Sequence, residues 1–196
     1  MDNLNQQKSE TFFDRAKIAA SVALFFARIL ATPTEFLMHT RAGERYLRMS
    51  GFFAVVLILL FPLLFPQNSP FPLYLFLVAY LIKAAIHRVR YLYMWMKRTP
   101  LVAHTRDPGT PLVTRVLKDW NPQSVRWVEP PLVFVFGAML YSLTPPLGFY
   151  LMAAAVGLFT CLSVQTVYTR QKLLDAHDAS IEARLDAERL RNAQGR

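Results

Sequence analysis

Two stretches without a single Asp, Glu, Lys or Arg govern what this chain can become: residues 51–82 and 130–169, 32 and 40 residues long. A span of bilayer hydrocarbon takes about 20 apolar residues, so each stretch is too long for one crossing. Each is also broken by turn chemistry, Pro66-Gln67-Asn68-Ser69-Pro70 in the first and Thr144-Pro145-Pro146 in the second. The pattern predicts an all-α integral membrane fold with two transmembrane helical hairpins. The four hydrophobic arms run near 49–66, 71–95, 130–143 and 147–168. Tyr91, Tyr93 and Trp95 stand where the second arm leaves the bilayer, as interfacial aromatics do. Two arms are short: residues 51–66 span about 24 Å at 1.5 Å per residue, against a hydrocarbon core of about 30 Å. Residues 131–143 are shorter still, so either flanking residues such as Met49, Trp127 and Val128 extend the arms, or the bilayer thins, or the hairpins are re-entrant and never cross.

The chain is not apolar throughout. Of its 196 residues 54% are hydrophobic and 18% charged, where a soluble domain has about 45–50% and 25%. The departure is moderate and implies membrane-embedded and wet parts side by side. Five segments follow: 1–48, N-terminal cytoplasmic or interfacial helices; 49–96, the first hairpin; 97–129, a basic cytoplasmic loop; 130–168, the second hairpin; and 169–196, a charged cytoplasmic helical tail. In the first segment Ile18, Val22, Phe25, Phe26 and Ile29 share a helical face while Lys17, Ser21 and Arg28 fall on another, the signature of an interfacial amphipathic helix. Thr32-Pro33-Thr34-Glu35 reads as the start of a further short helix, with Thr32 as N-cap, ending near Ala42-Gly43. In the loop, Thr110-Pro111 reads as another helix start, with Leu112, Val113, Val116, Leu117 and Trp120 on one face. In the tail Leu174, Ile181 and Leu185 make a thin apolar stripe.

Net charge is +9, and its placement sets the topology. Both hairpin tips are uncharged, and the basic clusters lie on the opposite side. The positive-inside rule then puts both termini and the 97–129 loop in the cytoplasm of a multi-pass inner (plasma) membrane protein. Arg88, Arg90, Lys97, Arg98, Arg115 and Lys118 are the candidates for the anionic cytoplasmic leaflet. Nucleic acid is not an expected partner; the lipid bilayer and other membrane or cytoplasmic proteins are.

Few residues suggest chemistry. The lone Cys161 makes no internal disulfide, and His39, His87, His104 and His177 lack metal-ligand spacing. No phosphate loop, nucleophile elbow or zinc-protease motif occurs. No cofactor, metal or catalytic residue is expected, and the chain does not read as an enzyme. Lys83 and Glu129 are intramembrane or interfacial charges. Lys83, about 18 Å along its arm from Phe71, is expected to snorkel to the cytoplasmic face. Glu129 is a candidate partner for Lys83 or Arg88. Ala153, Gly157, Cys161 and Gln165 recur every four residues, a seam that lets helices approach closely. The expected function is a non-enzymatic multi-pass subunit or scaffold of a larger inner-membrane assembly for secretion, transfer or envelope building. The protein is accordingly expected in an oligomer or hetero-complex. A homo-oligomeric channel or transporter, lined by Ser142, Thr144, Thr160 and Gln165, is the alternative, and a lipid-binding or membrane-shaping protein is a second.

Overall fold

A computed structural model describes residues 2–40, 48–97, 109–115 and 122–194. Five α-helices lie among them: α1 (Asp2–Met38), α2 (Arg48–Leu60), α3 (Phe71–Met96), α4 (Pro122–Tyr141) and α5 (Pro145–Gln194). One 3-10 turn, Phe61–Leu64, extends α2, and another covers Leu112–Arg115. The only strands among the described residues are β1 (His39–Thr40) and β2 (Thr110–Pro111), paired antiparallel with His39 opposite Pro111. The protein is all-α, and three helices are long and apolar enough to cross a membrane: 17–38 in α1, Phe71–Met96, and 145–188 in α5. Residues 49–64 form a shorter apolar helix. This is the composition of a membrane protein, and large apolar side chains such as Phe52, Leu75, Phe136 and Val156 stand exposed on the helices, as lipid contact requires.

The chain divides into residues 1–161 and 162–196. In the first unit the core joins Ala31 and Phe36 of α1, Ile58 of α2, Phe61, Leu73, Leu77 and Tyr80 of α3, Val133 of α4, and Tyr150 to Leu158 of α5. Aromatic edges bind these helices: Phe25 with Phe53 at 5.6 Å, Phe36 with Tyr80 at 5.8 Å, Phe61 with Tyr150 at 5.3 Å and Phe76 with Tyr150 at 5.5 Å. Glycines set the closest helix approaches. A Cβ on Gly148 would collide with the Tyr141 backbone, and one on Gly137 would lie 2.9 Å from the Met152 nitrogen, so α4 and α5 meet backbone to backbone. The second unit is helix over residues 162–194, and every side chain described in 164–188 is exposed.

Two local expectations are corrected. Thr32-Pro33 does not start a helix; α1 runs through it, with Pro33 inside. Pro33 has no N–H to give the Ile29 carbonyl. Hydroxyls supply the neighbouring carbonyls instead: Thr32 Oγ1 donates to Arg28 O (2.6 Å), Thr34 Oγ1 to Ala31 O (2.8 Å), and Tyr150 Oη, from α5, to Leu30 O (3.3 Å). Residues 31–34 are buried on every side of the helix, and a water-poor interior tolerates proline where such donors stand close. A threonine that bonds back to its own helix cannot cap the next one. Similarly, Thr110-Pro111 is a strand followed by a single 3-10 turn; Val116, Leu117 and Trp120 lie outside the described residues. The helix α4 begins at Pro122, ahead of the charge-free run, and carries Pro130 and Pro131 within it. The helix α5 runs from Pro145 to Gln194.

Candidate functional site

His39, Lys83 and Glu129 converge where α1 ends. His39, the residue after α1, is 2% exposed. Its Nε2 donates to the Glu129 carboxylate of α4, at 3.0 Å from Oε1 and 2.9 Å from Oε2. Its Nδ1 faces the Glu35 carboxylate, one helical turn back, at 3.9 Å. Glu129 is itself 4% exposed. A buried carboxylate is tolerated only when paired and hydrogen-bonded, and His39 supplies both.

Lys83 comes to the same place from α3. Its Nζ donates to the Leu37 carbonyl (2.9 Å) and the His39 carbonyl (2.8 Å), and stands 5.5 Å from the centre of the Phe36 ring. These carbonyls belong to the end of α1, whose last turn carries no basic residue of its own. A cation there satisfies orphan acceptors and meets the negative end of the helix dipole. Lys83→Leu is expected to leave two part-buried carbonyls without this donor and to cost about 2 kcal/mol, seen as a lower midpoint in detergent thermal unfolding. An unchanged midpoint would mean that the amine merely reaches for solvent.

The segment before α4 closes the junction. Gly109, at a φ of 95° that favours glycine, turns the chain into β2. Arg126 of α4 donates to its carbonyl (3.4 Å), and the Thr40 and Thr110 hydroxyls share a hydrogen bond of 2.8 Å. Three helices and the 109–115 segment are thus joined through one set of polar bonds. Among the described residues no buried side-chain nitrogen or oxygen lacks a partner, and no group of three His, Cys, Asp or Glu is arranged to hold a metal. Chemically the junction can hold charge and fix the helix ends. Both ring nitrogens of His39 are turned to carboxylates, so neither is presented to an incoming substrate.

The residues singled out from sequence fall in different places. Lys83 and Glu129 both join the junction, though not as a pair: Glu129 binds the His39 side chain and Lys83 the backbone beside it. Gly157 is buried against α1, where a Cβ would stand 2.5 Å from the Ala27 carbonyl oxygen. Ala153 and Cys161 are half-buried, and Gln165, in the second unit, is exposed. Arg88, Arg90 and Lys97 are exposed on the last turns of α3, with Lys97 Nζ 4.6 Å from the Tyr93 ring centre. Arg98 and Lys118 lie outside the described residues, as does the side chain of Arg115. Sequence reasoning missed His39, Gly137 and Gly148. His39 carried a faint signal, standing four residues after Glu35 and so on the same helical face. No family model, curated protein or solved structure matches the chain.

Proposed function

We propose that the chain is a non-enzymatic, multi-pass subunit or scaffold of a larger inner-membrane assembly. One observation carries this reading. The buried polar side chains described in residues 1–161 all have partners within the chain, while the helix of residues 164–188 has every described side chain exposed. Such a helix has little core of its own and gains most from a partner.

The proposed arrangement in the bilayer rests on charge and on the contacts of α1. The uncharged turns at 67–70 and 144–146 lie outside; the basic end of α3, the 97–129 segment and the tail lie in the cytoplasm. Phe76 and Tyr150 touch and are each five residues from their helix starts, so α3 and α5 share a level. Measured from those starts at 1.5 Å per residue, α1 meets Gly157 at about 18 Å, Tyr150 at about 8 Å, and Lys83 again at about 18 Å. Its residues 27–37 therefore gain no net depth. This supports an α1 that lies across α3 and α5 in the cytoplasmic half of the membrane, leaving both termini on the cytoplasmic side.

The reading is tested by gentle detergent extraction of tagged protein at native level, followed by sizing and mass spectrometry. The expected result is a stoichiometric complex with other membrane or cytoplasmic proteins. A discrete homo-oligomer with nothing else bound would overturn it in favour of a channel.

A further inference from the structure

We propose that residues 164–188 pair with the same segment of a second copy of this chain as a short parallel coiled coil. From the end of the fourth arm into the tail, the exposed positions keep a regular spacing. Val164, Val167, Gln171, Leu174, Asp178, Ile181 and Leu185 follow one another at alternating intervals of three and four residues, the spacing of a heptad seam. Five of the seven are apolar, and those five are 43–58% exposed. Val167, Leu174 and Ile181 take the d positions; Val164, Gln171, Asp178 and Leu185 take the a positions.

The charges flanking the seam choose the partner and its direction. On one flank stand Arg170, His177 and Arg184, the g positions; on the other stand Tyr168, Asp175 and Glu182, the e positions. In a parallel pair each g residue faces the e residue five positions on in its partner. Arg170 then meets Asp175 and His177 meets Glu182, twice over by symmetry. In an antiparallel pair like flanks face each other, base on base and acid on acid. The third parallel pair, Arg184 with Arg189, is repulsive, and Glu188 takes the next d position; both end the coil after Leu185. Two copies in one bilayer send their tails out the same way, which already favours the parallel arrangement. Gln171 and Asp178 in the seam weaken the pair and fix its register. About three and a half heptads with two polar layers make a weak contact, one that relies on the high local concentration of a membrane.

Cysteine cross-linking of the full chain in liposomes tests this. In a Cys161→Ser background, single cysteines at Leu174 and Ile181 sample the seam, and those at Ala176 and Ala183 sample the outer face. On mild oxidation the seam positions are expected to form disulfide-linked dimers at least fivefold faster than the outer ones. Added to Leu174→Cys, Asp175→Arg is expected to slow the reaction, and Arg170→Glu with Asp175→Arg to restore it. Equal rates at the seam and outer positions, or no recovery in the charge-swapped variant, would overturn the proposal. The pairing does not depend on other subunits. Loss of seam-selective cross-linking with a hetero-complex still extracted would refute the pairing alone; seam-selective cross-linking with no other protein extracted would refute the scaffold alone.

Discussion

His39→Ala and Glu129→Ala are each expected to cost about 3 kcal/mol, and the double variant far less than their sum. Each single change leaves the other group buried without the partner that made its burial tolerable. Removing Glu129 takes the carboxylate acceptor from a 2%-exposed imidazole; removing His39 takes its donor from a 4%-exposed carboxylate. In the double variant the two defects vanish together and only packing is lost, so it should cost no more than about 3 kcal/mol, a coupling of about 3 kcal/mol. Lys83 does not enter this cycle directly, because it binds the carbonyls of residues 37 and 39 and not the imidazole. Denaturation of the purified protein by graded sodium dodecyl sulfate in mixed micelles gives the four free energies. Additive single effects would show that His39 and Glu129 do not hold each other, and would remove the junction as the tie between α1 and α4.

How much of this was legible in the sequence divides along a physical line. Local chemistry was legible. The charge-free runs and the Pro-rich breaks at 66–70 and 144–146 depend on near neighbours, and α3 begins and ends within a residue of the helix expected at 71–95. Statements that depend on what surrounds a helix were not. Thr32-Pro33-Thr34 has the composition of a helix start, and nothing nearby in sequence reveals that residues 31–34 will be enclosed, with Tyr150, 120 residues from Leu30, donating beside the proline. The same holds for the junction. Glu129 was recognisable as a charge beside an apolar run, and so was Lys83, but their meeting point is His39, 90 residues from the one and 44 from the other. Small residues show where helices can approach, not which helix arrives. Gly137 and Gly148 belong to α4 against α5, while Gly157 belongs to α1.

That last contact gives the second large effect. Gly157→Leu is expected to destabilise the protein by about 3 kcal/mol and to reduce the folded yield, with Gly157→Ala intermediate. The size follows from what the new side chain meets. The nearest atoms to a Cβ at Gly157 are the carbonyl oxygen, carbonyl carbon and Cα of Ala27, at 2.5, 3.3 and 3.5 Å. A flexible side chain could turn aside, but a helix backbone moves only as a whole, and α1 also carries Phe36 into the core and His39 into the junction. Separating α1 from α5 therefore loosens both. Two controls isolate the cause. Val156→Leu, at a neighbouring position that is 59% exposed, is expected to stay within about 0.5 kcal/mol of the parent. Ala27→Gly is expected not to rescue Gly157→Leu, since it removes a methyl group and leaves the obstructing carbonyl in place. Rescue by Ala27→Gly would place the collision on the side chain, and a Gly157→Leu protein as stable as Val156→Leu would mean that α1 does not rest on α5 at this point.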